Sequence, residues 1–138
     1  MYYNYVYLNP FRPGKYEYNY LNMCFLYEPY YVGKGKNNRY VAHIKECLNS
    51  DLSIKENKRE SIKCFYINRI MNECKNRNID FNTYIIRFNK TTEELAFKLE
   101  SIMINRIGIL KDKSGPLTNL KDKGKKQYIS KKAMRWKI

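Results

Sequence analysis

A chain of 138 residues is long enough for one domain with a single modest core. Lysine and arginine number 27 against 13 aspartates and glutamates, and this net charge of +14 favours an anionic partner such as nucleic acid or an anionic membrane surface. No apolar run approaches the roughly 18 residues of a membrane span. The N-terminus lacks the basic-then-apolar layout of a secretory signal, so we expect a cytoplasmic protein without a membrane partner.

The first half of the chain predicts two strands and one helix. Tyrosine and valine near the N-terminus favour a strand that stops before Pro10, and Pro13 with Gly14 favours a loop after it. Pro29 implies that the second strand lies at a sheet edge or carries a bulge. In chain order we predict a strand over residues 2–8, a loop over 9–22, a strand over 23–32, a turn over 33–36 and a helix from Asn37 or Asn38 to Leu48.

The second half predicts two further helices around a third strand. Thr91 and Glu94 have the spacing of a capping box at the start of the last helix. We predict a long helix over residues 53–78, a strand over 83–88 and a helix from Thr91 to Ile109. This order predicts an α/β (α+β) domain, in which a small central sheet of three strands, mostly antiparallel, is flanked by helices.

The cysteines favour a reduced core over a metal site. Neither a CxxC pair nor a tight ligand spacing is present, and His43 is the only histidine, so structural zinc is disfavoured. We expect buried, reduced thiols at all four positions. These are Cys24, Cys47, Cys64 and Cys74.

Two short motifs, on the first and second predicted strands, resemble the paired motifs of the GIY-YIG nuclease family. They are Tyr5-Val6-Tyr7 and Tyr31-Val32-Gly33, and the family's later parts follow in order as Arg39, His43, Glu100 and Asn119. The resemblance covers about residues 3–124, so we divide the chain into a nuclease-like domain over 1–124 and a basic tail over 125–138. Two departures stand out: Tyr5 occupies a position where the family usually has glycine, and the segment between the motifs is longer than usual.

The tyrosines of the two motifs suit the handling of a water molecule. Tyr7 would activate the water, although a phenol that titrates near about pH 10 needs help from cations such as Lys34 and Lys36. Tyr31 would orient the same water or the phosphate. The bland alternative for Tyr7 is a half-buried strand aromatic, since tyrosines are frequent in this part of the chain.

Arg39 and His43 lie one helical turn apart, so both can face one site. The planar fork of Arg39 suits a phosphate, and His43 would act as general acid or phosphate ligand. The alternatives are a solvated surface arginine and a partly buried structural histidine.

Glu100 lies on the apolar stripe of the last predicted helix. Its neighbours one turn away are Ala96, Phe97, Met103 and Ile104. A carboxylate in such surroundings is costly unless a metal or a partner such as Arg39 compensates it, and the alternative is a boundary residue that reaches water. A single carboxylate suits Mg²⁺ that keeps several waters, with Mn²⁺ as a substitute. Asn119 would hold the metal site or orient a phosphate.

The resemblance implies a metal-dependent endonuclease that hydrolyses double-stranded DNA. The catalytic residues would be Tyr7, Tyr31, Arg39, His43, Glu100 and Asn119, with Glu100 as the metal ligand. The residues in contact with DNA would be Lys34, Lys36, Arg39, Lys125, Lys126, Lys131 and Lys132. The tail lysines have the alternative of a solvated chain end.

Two other functions remain compatible with the sequence. One is a non-catalytic nucleic-acid-binding protein that uses the same basic surface, and the other is a ribonuclease that uses the same site. Cutting both strands with one site per chain would favour a homodimer or sequential nicks. The role stays open among phage DNA degradation, homing of a mobile element, repair and restriction, in the cytoplasm of a bacterium or a phage-infected host.

Overall fold

The computed structural model describes residues 1–120, in which three strands form one antiparallel sheet with the order β2–β1–β3. The strands are β1 (Tyr2–Tyr18), β2 (Met23–Gly35) and β3 (Ile85–Thr91). The helices are α1 (Arg39–Cys47), α2 (Ile62–Asn76) and α3 (Glu93–Ile107). The expected α+β class, with a three-stranded antiparallel sheet flanked by helices, is confirmed. Within the described residues, every helix is too short or too polar to cross a membrane.

The hairpin of β1 and β2 is longer than the sequence predicts. The predicted loop over residues 9–22 is wrong, because β1 runs on to Tyr18 through register shifts on either side of Pro13. The prolines are tolerated there because β3 pairs only with residues 2–7 of β1, so beyond them a missing N–H costs no bond to a third strand. The predicted turn over 33–36 is also wrong, since β2 continues to Gly35. The prediction for Pro29 is confirmed: β2 is an edge strand, and its register shifts beside this residue.

The starts of α2 and α3 are set by side-chain caps and lie later in the chain than predicted. The predicted helix over 53–78 begins only at Ile62, because residues 48–54 form a hydrogen-bonded turn and the Ser61 hydroxyl caps α2 by accepting from Cys64 N at 3.1 Å. The capping box at Thr91 is likewise wrong. Thr91 ends β3, and the Thr92 hydroxyl caps α3 by accepting from Leu95 N.

The strand residues of β1 alternate between two different layers of the core. Tyr3, Tyr5 and Tyr7 pack towards α1 and α2, and we call this side of the sheet the tyrosine face. Val6 and Leu8 point the other way, towards the buried residues of α3, and we call this side the aliphatic face. The two-residue period of a strand produces this separation directly from the sequence.

A disulfide joins α1 to α2, which corrects the expectation of reduced thiols. Cys47 and Cys64 are both buried and form this bond, with their Cα atoms 5.1 Å apart. The prediction of a buried thiol is also wrong for Cys24, which is exposed, whereas Cys74 is buried and free as expected. Sequence spacing could not reveal the bond, since it depends on two helices packing side by side.

Candidate active site

Three of the predicted site residues meet on the tyrosine face. Tyr7 and Tyr31 are opposite each other in the β1–β2 register, with ring centroids 5.7 Å apart. The buried ring of His43 on α1 lies 4.7 Å from Tyr31 and 6.0 Å from Tyr7. The alternative prediction for Tyr7 was a half-buried aromatic residue of a strand. The side chain is instead fully buried.

Tyr5 completes this cluster, and sequence reasoning treated it only as a departure from the family motif. Its ring lies over Gly33, where an added Cβ would be 2.5 Å from the Tyr5 Cζ and Oη atoms, so Gly33 leaves the space that Tyr5 fills. Its hydroxyl lies 2.5 Å from His43 Nε2. The two-residue spacing from Tyr7 was the available signal, because it puts both rings on one face.

Arg39 begins α1 and pairs with Glu46 at the other end of the helix. Arg39 Nη1 donates to Glu46 Oε2 at 2.8 Å, and Glu46 Oε1 lies 3.5 Å from His43 Nδ1. Burial opposes ionisation of Glu46, but the Arg39 hydrogen bond and the positive charges around it lower the pKa of this carboxyl. Glu46 was missed, although its i+3 spacing from His43 was a signal.

Lys63 reaches the cluster from α2 and was also missed. Its Nζ atom lies 3.0 Å from His43 Nδ1 and 5.3 Å from the centroid of the Tyr31 ring. The two residues are 20 apart in sequence and belong to different helices, so no local spacing could have indicated the contact.

Glu100 comes from α3 and is buried, with 1% of its surface exposed. The alternative of a boundary residue that reaches water is therefore wrong. Burial is the main cause that raises the pKa of Tyr31 and Tyr5, and the negative charge of Glu100 raises both further. Arg39, the partner that sequence reasoning offered, is hydrogen-bonded to Glu46.

Burial keeps the cluster tyrosines neutral at physiological pH. Burial and then Tyr31 raise the pKa of Tyr7, while Arg39 opposes the shift. Burial and then Glu100 raise the pKa of Tyr31 to about 12, again against Arg39. The Tyr7 hydroxyl donates its proton to the Tyr40 carbonyl at 2.6 Å. A stored phenolate is therefore excluded in the unbound protein.

Lys34 and Lys36, which were expected to assist Tyr7, lie at the open end of the β1–β2 hairpin, beside the ring of Tyr2. Lys34 Nζ is 5.6 Å and Lys36 Nζ is 5.3 Å from the centroid of Tyr2. Lys34 also forms an ion pair with Glu93 at 3.4 Å. Arg39 is thus the cation that acts on Tyr7, whereas Lys34 and Lys36 add positive charge to the adjoining surface.

Asn119 uses its amide to hold β2 in place. Its Oδ1 accepts from Val32 N at 3.1 Å, and its Nδ2 donates to Val32 O at 2.9 Å. Thr118 adds two hydrogen bonds to the Tyr30 carbonyl, from its backbone N–H and its hydroxyl. These bonds fix the strand on either side of Tyr31. The predicted tail contacts, Lys125, Lys126, Lys131 and Lys132, lie outside the described residues.

The whole pattern can be compared with known protein families. A family model for the LEM-3-like GIY-YIG domain matches residues 2–138. The chain belongs to the GIY-YIG nuclease family. The GIY-YIG domain identifies a nuclease fold, and nucleases of this family generally use divalent metals. Neither the curated proteins nor the solved structures give a match to this chain.

The side chains of this GIY-YIG site limit the kinds of metal ion that it could hold. Among residues 1–120, no group of three or more His, Cys, Asp or Glu side chains could hold a metal. A fully protein-bound zinc or calcium centre is therefore a poor fit to this part of the chain. Mg²⁺ commonly takes one or two carboxylates together with waters and substrate phosphates, so a single buried carboxylate such as Glu100 does not exclude it.

Proposed function

We propose that this GIY-YIG chain is an endonuclease that hydrolyses phosphodiester bonds of double-stranded DNA with Mg²⁺. One observation carries the proposal: Tyr7, Tyr31 and His43 are in ring contact, beside Arg39 and within reach of a buried carboxylate. Hydrolysis needs an oriented water, a neutralised phosphate and a bound metal, and the cluster offers a group for each.

The tyrosines would handle the water as neutral phenols. Because the Tyr7 hydroxyl donates to the Tyr40 carbonyl, its oxygen keeps lone pairs that can accept a hydrogen bond from a water molecule. Tyr31 lies across the strand pair and would orient the same water from the other side. This arrangement positions the nucleophile without requiring a phenolate.

Arg39 would bind the phosphate, and His43 would act on it through a neighbouring hydroxyl. Arg39 is partly exposed and can exchange its Glu46 carboxylate for a phosphate with the same forked geometry. It also starts α1, where backbone N–H groups favour an anion. His43 is buried, and its two ring nitrogens lie next to Lys63 and the Tyr5 hydroxyl, so it would act on the phosphate through Tyr5.

Glu100 would hold Mg²⁺, with Mn²⁺ as a substitute, and Asn119 would keep the site in shape by bracing β2. A divalent ion bound here would supply positive charge to the transition state and acidify a bound water. Glu100 is well suited because α3 holds it in a fixed, buried position. No direct part in the chemistry is needed from Asn119.

The DNA surface would include Lys34, Lys36 and Arg39, together with the tail lysines Lys125, Lys126, Lys131 and Lys132. Binding through such contacts weakens steeply as salt rises. We further propose a cytoplasmic location and, for double-strand cleavage, a homodimer or sequential nicks. Counting free thiols in freshly extracted protein tests this location, because a reducing compartment keeps Cys47 and Cys64 as thiols and an oxidising one allows their disulfide.

The test is plasmid relaxation with Mg²⁺, with EDTA, and with a Glu100→Gln variant. Wild-type protein should nick the plasmid only with Mg²⁺, and Glu100→Gln should lose at least about 100-fold in rate while still binding DNA. Glu94→Gln is the matched control, because Glu94 is an exposed residue of the same helix. Cleavage by Glu100→Gln at the wild-type rate would contradict the metal role.

Two other outcomes would favour the rival functions. Tight DNA binding by wild-type protein without cleavage under any metal would favour a non-catalytic binding protein. Faster cleavage of RNA than of DNA in a parallel assay would favour a ribonuclease at the same site.

A further inference from the structure

A chain of three polar groups crosses the tyrosine face, and only His43 belongs to the predicted site. Lys63 Nζ lies 3.0 Å from His43 Nδ1, and His43 Nε2 lies 2.5 Å from the Tyr5 hydroxyl. His43 and Tyr5 are both buried, at 1% exposure each, so their hydrogen-bond partners are fixed by the fold.

The chemistry of lysine decides which atom donates and which accepts in these two hydrogen bonds. An ammonium group has three N–H donors and no acceptor, so Nδ1 of His43 must accept from Lys63. A neutral imidazole carries one proton, which then resides on Nε2. Nε2 therefore donates to the Tyr5 oxygen, and the Tyr5 hydroxyl keeps its own proton for another acceptor.

Glu46 competes for the same ring nitrogen. Its Oε1 atom lies 3.5 Å from Nδ1, and a carboxylate can only accept, so it would draw the proton onto Nδ1. Lys63 is closer, and the other oxygen of Glu46 is engaged by Arg39 at 2.8 Å. The two side chains thus favour opposite tautomers of His43, and the distances favour the one that Lys63 imposes.

We propose that Lys63 is a positioning residue: it holds the proton of His43 on Nε2 and so makes Tyr5 a hydrogen-bond donor to the substrate phosphate. This inference rests on the proposed phosphodiesterase function. Tyr5 suits the task because it lies in the cluster with Tyr31, at 6.3 Å between ring centroids, and within the field of Arg39. A neutral buried phenol can donate to a developing negative charge in a site that excludes water.

The tautomer can be measured directly because His43 is the only histidine in the chain. In protein labelled with ¹⁵N-histidine, a single imidazole reports which nitrogen is protonated. At pH 8, wild-type protein should show protonated Nε2, and Lys63→Arg should match it because arginine also only donates. Lys63→Met should move the proton to Nδ1, facing Glu46. Lys75→Met, an exposed lysine of the same helix, is the matched control.

Removing the competitor sharpens this measurement. In the double variant Lys63→Met/Glu46→Gln, the carboxylate that attracts the proton is gone, and we expect a mixture of both tautomers. A wild-type ring protonated on Nδ1, or on both nitrogens at pH 8, would overturn the proposal. An unchanged Nε2 tautomer in Lys63→Met would overturn it as well, and this readout does not depend on catalysis.

Cleavage kinetics test the link to Tyr5. We expect Lys63→Met to lose about 10- to 100-fold in kcat with little change in KM, because a direct donor to transition-state charge is worth about 100- to 1000-fold. Lys63→Arg should recover most of the rate. Tyr5→Phe should lose at least as much as Lys63→Met, and the double variant should be no slower than Tyr5→Phe alone.

The outcomes separate the two proposals. If wild-type protein cleaves no nucleic acid, the proposed function fails, while the imidazole spectra still report on Lys63. If wild-type protein cleaves and Lys63→Met cleaves at the same rate despite a changed tautomer, the donor role of Tyr5 is overturned. Additive losses for Lys63→Met and Tyr5→Phe would overturn it too, because the two residues would then act independently.

Discussion

The aliphatic face and the tyrosine face of the β1–β2 strand pair differ in the kind of contact that they make. On the aliphatic face, Val6 and Val32 pack against Met103 and other apolar residues of α3, without polar atoms among these side chains. On the tyrosine face, each buried ring carries a hydroxyl that needs a partner. For the three tyrosines of β1 these partners lie in or next to α1: the Asn37 carbonyl for Tyr3, His43 for Tyr5 and the Tyr40 carbonyl for Tyr7.

This difference separates stability from positioning. Aliphatic burial is non-directional, so the apolar side chains that face α3 stabilise the fold without fixing any single atom, while the buried Asn4 amide adds a directional hydrogen bond to the Ala96 carbonyl. Hydrogen bonds are directional, so three tyrosine hydroxyls set the place of α1, which carries Arg39 and His43. We therefore expect changes on the first face to affect unfolding and changes on the second to affect cleavage.

The largest effect should come from Met103→Ala on the aliphatic face. Met103 is fully buried, and truncating a buried methionine costs about 2–5 kcal/mol of unfolding free energy. Cleavage per folded molecule should fall much less than stability at temperatures well below the unfolding transition, because Met103 lies one helical turn from Glu100 but has no part of its own in the reaction. Urea denaturation measures the stability, and plasmid relaxation measures the cleavage rate. Ile102→Ala is the control, because the Ile102 side chain is next to Met103 in sequence but 40% exposed. A large loss of rate in fully folded Met103→Ala would break the comparison.

Tyr7→Phe should show the reverse pattern. It removes the hydrogen bond to the Tyr40 carbonyl, which is worth about 0.5–1.5 kcal/mol of stability. Cleavage should fall by about 100-fold, because the group that orients the water is lost. Tyr20→Phe, at an exposed tyrosine, should leave both quantities near wild type. If Tyr7→Phe cleaves normally, the tyrosine face does not serve the reaction in the way proposed.

The smallest effect is the pH dependence that Tyr31 contributes on the tyrosine face. Burial and Glu100 raise the pKa of Tyr31 to about 12, above the value of about 10 for an unfolded chain. The neutral form therefore stabilises the fold fully below about pH 10, and this contribution is lost as the pH rises towards 12. Urea unfolding at pH 8 and pH 11 should show a smaller alkaline loss for Tyr31→Phe than for wild type. Equal losses would mean that Tyr31 titrates normally.

Local signals in the sequence predicted the elements that local chemistry determines. The two-residue period of the strands, and Pro29 as an edge or bulge residue, follow from backbone geometry alone. The extension of β1 through Pro10 and Pro13 could not be predicted in this way, because the prolines are tolerated only where no third strand pairs. The start of α2 at Ile62 does have a local signal in the Ser61 cap, which apolar spacing obscured.

In the candidate site, too, local spacing indicated some residues, while others depend on how the helices pack. Arg39 and His43 lie on one helix and both contact Glu46, and the apolar neighbours of Glu100 correctly indicated burial. Lys63 depends on the packing of α2 against α1, and no spacing within either helix encodes that contact. The Cys47–Cys64 bond was missed for the same physical reason.

The hydrogen bonds of Asn119 to Val32 have a consequence for solubility. β2 is an edge strand, and an open edge is a template for pairing with another chain. The Asn119 amide and Thr118 occupy the outer side of this edge and act as a short substitute strand. A chain cut before Leu117, or one carrying Asn119→Ala, would therefore expose unpaired backbone groups of β2 next to Tyr31, to which another chain could bind. Lost activity in such variants would reflect self-association as much as chemistry.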